Sequence, residues 1–302
     1  MVGSPLLTRG HLITKVVCRG APALLLALVL SWPASAQLAN KDAPIVAGHY
    51  HLNASNIDAH MKFWVDTLGG KPMKFGPQQV DVVEFPGIFI FLRKQAPTGP
   101  TRGTTLDHIG FAVPNVAAVA ARAVANGFQR TVGREPGPGQ AAAPPTAGNY
   151  GMFEYLVGPD GVKVELVTNS EPNAPPIKHH HMHFVNREFV EMGQWYMKAF
   201  NATERPGKTD FFFGADLPGV GYMLNFFSWL PNEPLVGTSG RAVDHVGFEV
   251  RNLEAFCKEL QAKGIELVAP YRYSSELKLG VAQVRDPWGT LIELNEGLRD
   301  LP

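Results

Sequence analysis

Eight residues in this chain have types and spacings that suit a divalent metal ion. His49 and His51 alternate along Gly48-His49-Tyr50-His51, as His181 and His183 do along His181-Met182-His183. His108 sits in Leu106-Asp107-His108-Ile109-Gly110-Phe111, and His245 in Val243-Asp244-His245-Val246-Gly247-Phe248. Glu165 and Glu293 each follow a turn, Pro159-Asp160-Gly161 and Pro287-Trp288-Gly289. Two neutral imidazoles and one carboxylate leave coordination positions open for a substrate. Such a set favours Fe(II), with Mn(II) or Zn(II) as other occupants. Spacing alone leaves open which member of each His-x-His pair coordinates. The other member lies on the same strand face and is placed to orient a ligand.

These residues need strands to aim them. In Leu106 to Val113, Ile109, Phe111 and Val113 share one face, and His108, Gly110 and Ala112 the other. The same alternation puts His49 and His51 opposite Tyr50 and Leu52. It sets Glu165 apart from Val164 and Leu166, and Glu293 apart from Ile292 and Leu294. All the candidate ligands thus fall on the sheet face away from the helices. Those helices are legible too. After Asn115 come Val116, Val119 and Ala123 before Gly127, and after Asn252 come Leu253, Phe256 and Leu260 before Gly264. Each run is an apolar helical stripe with an Asn cap and a Gly stop.

The blocks recur in the same order, so the chain is internally duplicated. The halves run over roughly 44–169 and 177–297, with the Pro- and Asn-containing stretch 170–176 as linker. Each half divides again into two βαβββ modules. The expected fold is α+β, with four modules paired into two domains along these boundaries. Each domain is then a curled eight-stranded half-barrel cup with helices outside. One long Gly-, Pro- and Ala-rich insert, Gly133 to Gly148, interrupts the second module and reads as a disordered loop or a lid.

The N-terminal segment reads as a leader rather than part of the fold. Arg9, Lys15 and Arg19 precede the apolar run Ala21 to Leu30, and Ala34-Ser35-Ala36 is a cleavage signal. Residues 1–36 are therefore expected to be a signal peptide, and the mature protein an exported (periplasmic or secreted) chain with no membrane association. Lys and Arg number 27, as do Asp and Glu, so removing three basic residues leaves 24 − 27 = −3. That charge gives no case for nucleic acid. Of two cysteines, Cys18 falls in the leader, and Cys257 alone cannot form an internal disulfide.

With these modules and motifs, the chain resembles the vicinal oxygen chelate superfamily of glyoxalases, bleomycin-resistance proteins and extradiol dioxygenases. The resemblance is carried most specifically by Leu106 to Asn115, Val243 to Asn252, Gly158 to Leu166 and Asp286 to Leu294. It implies the ligand sets His49/His108/Glu165 and His181/His245/Glu293, with His51 and His183 behind them. Glyoxalase I-like members add a fourth ligand from the last strand of the first module. Ile88 to Leu92 and Tyr222 to Phe226 contain no carboxylate, which brings the pattern nearer to extradiol dioxygenases. The resemblance therefore implies a metal-dependent enzyme acting on a small substrate with vicinal oxygens, as a monomer or homodimer. The alternatives are a glyoxalase- or epimerase-like lyase or isomerase with a redox-inert metal, and a metal-free small-molecule-binding protein. Tyr150, Tyr155 and Glu249 are candidates for the acid–base group.

Overall fold

Among the described residues, three of the four α-helices start where an asparagine side chain, Asn56, Asn115 or Asn252, caps the first turn. The structure, a computed structural model, describes residues 38, 42–141, 152–220 and 222–301. The first module comprises β1 (Ile45–Ala54), α1 (Ile57–Met61), β2 (Lys71–Phe75), β3 (Val80–Phe85) and β4 (Ile88–Lys94). Asn56 caps α1 by accepting from the Ala59 amide at 3.1 Å. The helix then loosens into a π-helical stretch, Lys62–Thr67, which buries Phe63 and Trp64. The second module has β5 (Leu106–Val113), α2 (Val116–Ala125), β6 (Gln129–Thr131), β7 (Phe153–Val157) and β8 (Lys163–Thr168). Here Asn115 caps α2 and Gly127 stops it at a φ of 93°.

The third module contains β9 (Lys178–Asn186), α3 (Phe189–Phe200), β10 (Thr203–Glu204), β11 (Phe212–Leu217) and β12 (Tyr222–Ser228). Glu188 occupies its cap position without a side-chain cap bond. The fourth has β13 (Val243–Val250), α4 (Leu253–Ala262), β14 (Leu267–Ser274), β15 (Leu279–Arg285) and β16 (Leu291–Glu296).

Two mixed eight-stranded sheets result, neither closed into a barrel, with the helices outside. One runs β14-β15-β16-β13-β1-β4-β3-β2, the other β10-β11-β12-β9-β5-β8-β7-β6. The first module thus pairs with the fourth and the second with the third, whereas the sequence reading paired neighbours along the chain. The reason lies in the connections. Thr98 donates to the Gly240 carbonyl at 2.8 Å and Ala242 to that of Gly99 at 2.9 Å. Thr105 donates to Val236 at 3.1 Å and Val236 to Gly103 at 3.0 Å. The segment leaving the first module and the one entering the fourth therefore run side by side, which brings β1 to β13 and β5 to β9.

Both seams are antiparallel pairings of first strands. Their registers place His51 opposite His245 and His183 opposite His108. On the helix side, one apolar cluster draws on all four modules, with Trp64, Phe111, Phe184, Phe200 and Phe248 wholly buried within it. Such aromatic packing fixes the sheet faces, because a one-residue slip would turn these rings into the cups.

Candidate metal centres in two unequal cups

The altered pairing regroups the predicted ligands. In the cup of the second and third modules, Gly110 on β5 lies opposite His181 on β9 and Glu165 on β8. In the cup of the first and fourth, Gly247 on β13 lies opposite His49 on β1 and Glu293 on β16. A Cβ at either glycine would run into the facing imidazole ring, His181 or His49. A histidine and a glutamate can therefore lean toward each other only across a residue without a side chain. The sets are His108/Glu165/His181 and His49/His245/Glu293, instead of the two sets drawn from consecutive halves.

The inner geometry of the second–third cup is tight. Glu165 Oε2 lies 2.9 Å from both His108 Nε2 and His181 Nε2, and the two nitrogens are 3.3 Å apart. With metal–ligand bonds of about 2.1 Å, neighbouring donors stand about 3.0–3.4 Å apart in octahedral or tetrahedral sites. The other face of His108 meets Asp107, whose Oδ1 is 2.6 Å from Nδ1. A neutral imidazole donates from one nitrogen only, so a ring held between two carboxylates needs an extra proton or a cation. This donor set fits a metal ion.

His183 joins the same group of donors and lies over His108, with ring centroids 4.2 Å apart. Both its ring nitrogens are buried without a partner. His183 therefore does not orient a ligand through a hydrogen bond, as the sequence reading expected. Asp107 does so, and is itself held by Lys163 Nζ at 2.7 Å. Tyr155 donates to Glu165 Oε1 at 2.8 Å. Burial alone would raise the Glu165 carboxyl, but hydrogen bonds from His108 and His181 hold it well below the usual range.

The first–fourth cup repeats the plan more openly. Glu293 Oε1 lies 3.7 Å from His49 Nε2, and its Oε2 3.7 Å from His245 Nε2. Asp244 Oδ1 holds His245 Nδ1 at 2.7 Å. Gln283 and Asn295 each donate to Glu293 at 3.0 Å. His245 Nε2, the nitrogen that faces Glu293, is buried without a partner, an orphaned donor atom that a cation would satisfy. Burial pushes the His49 imidazole down to about 4, so it is neutral and able to coordinate at pH 7. The donor atoms of His49, His51 and His245 all lie within 4.8 Å of one another, a group that does not include Glu293.

Only this cup opens into a large cavity, of about 470 Å³, among the described residues. In the other, the space beside Asp107 and His183 amounts to about 10 Å³ and is walled by Gly133, Arg134 and Phe227.

The model of the Glyoxalase/Bleomycin resistance protein/Dioxygenase superfamily matches residues 140–294, just over half of the 302-residue chain. The chain belongs to that superfamily. Among solved structures, glyoxalase I from Zea mays aligns with a TM-score of 0.62 at 15% identity, covering 85% of this chain and 94% of its own. A candidate dioxygenase from Bacillus subtilis aligns at 0.59 and 15%, covering 84% and 86%. At such identities the likeness establishes the fold. No curated protein matches the sequence.

Within this vicinal oxygen chelate fold, the remaining candidates sort by position. Glu249 is wholly buried and accepts from the Gly297 and Leu298 amides and from Arg299 Nε, at 2.9–3.1 Å. It anchors the C-terminal turn through these bonds. Tyr150 and the leader lie outside the described residues, as does part of the insert. His179 is buried with its Nε2 2.7 Å from the Tyr50 hydroxyl.

Asp107 and Asp244 were missed. Strict alternation sends them to the helix face, but a register shift falls at each: Leu106 and His108 face Phe184 and His183, while Val243 and His245 face Leu52 and His51. The bulge re-aims each carboxylate onto the neighbouring histidine. The signal available in the sequence was the repeated Asp-His dipeptide.

Proposed function

We propose that this protein is an exported, divalent-metal-dependent enzyme of extradiol-dioxygenase type, acting on a small substrate with vicinal oxygens in the first–fourth cup. The observation that carries the reading is the convergence of His49, His245 and Glu293 on a 470 Å³ cavity, a size suited to one small molecule. A bound ion, Fe(II) by preference, supplies Lewis acidity and a template for two adjacent oxygens and for O₂. The protein's own groups do the rest. Asp244 fixes the tautomer and tilt of His245, and Gln283 and Asn295 hold the Glu293 carboxylate in place. Phe91 and Leu279 keep part of the wall dry. His51, close to both ligand histidines and free of a hydrogen bond among the described residues, is kept neutral by burial and by the neighbouring His245 and His49, so its ring can hydrogen-bond a substrate oxygen.

Export rests on the leader sequence alone, and N-terminal sequencing of the exported protein should begin at Gln37. No helix among the described residues is long and apolar enough to cross a membrane. For the activity, metal-free protein reconstituted anaerobically with Fe(II) should consume O₂ on addition of catechol, and His245→Ala should abolish that uptake. No uptake with iron bound in this cup would sink the dioxygenase reading. Turnover with Mn(II) or Zn(II) and no O₂ would place the chemistry among lyases or isomerases.

A further inference from the structure

Two arginines reach the wall of the large cavity from opposite arms of one sheet. Arg93 follows Phe91 by two residues on β4, so both face the cup. Arg272 lies on β14 opposite Val281, another lining residue. Both arginines are exposed, which sets them at the rim, while His49 and His245 lie buried below and Glu293 is half-buried. Neither guanidinium makes a hydrogen bond or ion pair among the described residues. The carboxylates lining the cavity are already engaged: Asp244 by His245 and the Gly240 amide, Glu293 by Gln283 and Asn295. With neutral histidines, two arginines balance these two carboxylates, so a divalent ion leaves the loaded cavity with two positive charges in excess. Phe75, Phe91 and Leu277 supply an apolar wall.

The duplicated cup shows the contrast. The register that places Arg93 opposite Asn53 on β1 places Phe227 at the matching position on β9's partner strand, opposite Val185. Phe227 packs on His183 at 4.3 Å between centroids, beside a space of about 10 Å³ among the described residues. The arginine thus accompanies the open cavity and not the metal-binding motif itself.

We propose that Arg93 and Arg272 form an anion subsite, so that the substrate carries a carboxylate at the end remote from its vicinal oxygens, on an apolar or aromatic body. This deepens the proposed function and rests on the cavity being the substrate site. Arg suits the task because its planar donors meet a carboxylate in pairs.

The test compares 3,4-dihydroxybenzoate with catechol, by calorimetric titration into anaerobic Fe(II)-loaded protein. Wild type should bind the carboxylated probe about tenfold or more tightly, with a preference that shrinks as salt rises. Arg93→Gln with Arg272→Gln should bring the two affinities together at unchanged metal stoichiometry, and the corresponding Lys variants should restore part of the difference. Equal affinities in wild type, or a preference that survives the double Gln variant, would overturn the anion subsite alone. Failure of both probes to bind metal-loaded protein would overturn both this subsite and the cavity as a catechol site.

Discussion

A glycine decides whether each metal centre can exist. Gly110 and Gly247 sit where the histidine of one module and the glutamate of another reach across the strand separating them. Ala at position 247 should push the His49 ring aside and weaken metal binding to the first–fourth cup about tenfold or more, leaving the fold intact by circular dichroism; competitive chelator titration measures it. Asp244 acts one step further out. Asn there keeps the shape but not the charge behind His245, and metal affinity should fall by roughly 10–100-fold.

The same residues set a pH limit for the metal-free protein. His49 takes up its proton at about 4 when folded and near 6.5 when unfolded. Its contribution is whole above pH ~6.5 and disappears as the pH falls toward 4, because the unfolded chain gains protons that the buried ring refuses. The loss from this group is on the order of 3 kcal/mol. Urea midpoints of the metal-free protein between pH 7 and pH 4 should show it, and a flat profile would contradict the burial of His49. The candidate ligands could be picked out of the sequence one at a time, by type and alternation. The aspartates could not, because a bulge is invisible to a rule of strict alternation.

At the scale of elements, the four βαβββ modules and their caps follow from local pattern, but their pairing does not. Each module offers its first strand as an edge, and β1, β5, β9 and β13 have the same alternation, so alternation alone does not choose between seams. What chooses among them is the hydrogen bonding of the 95–105 and 229–242 connections, with Thr98 on Gly240 and Thr105 on Val236. Neither segment carries a repeated motif. A direct consequence concerns the linker: neither 44–169 nor 177–297 should fold as a monomer when expressed alone, since each lacks the partner of both its first strands. Mixed together they should recover secondary structure and elute at the size of the intact chain. A folded, monomeric 44–169 would contradict the first-with-fourth pairing.

For the molecule as a whole, duplication has produced two cups that differ in open space among the described residues, a difference hidden at the level of motif. His108/Glu165/His181 and His49/His245/Glu293 are equivalent by sequence, yet about 470 Å³ lies beside one set and about 10 Å³ beside the pair Asp107 and His183. Cavity space depends on rim residues such as Arg93 and Phe227, which no ligand pattern constrains. Metal analysis of His108→Ala and His245→Ala should therefore separate two sites, with turnover lost only in the second variant.

The nested pairing of modules also orders the protein's birth. Strand β1 emerges first from the ribosome, yet its seam partner β13 begins at Val243, nearly two hundred residues later. The inner cup can close once β12 has been made. The outer one must wait with an apolar edge bare, and closing so long a loop is slow and exposed to misassembly. A chain sent unfolded across a membrane would meet that wait on the far side. There, an escort that shields Ile45–Ala54 until the last strands arrive would matter more to the yield of active protein than the stability of the finished fold.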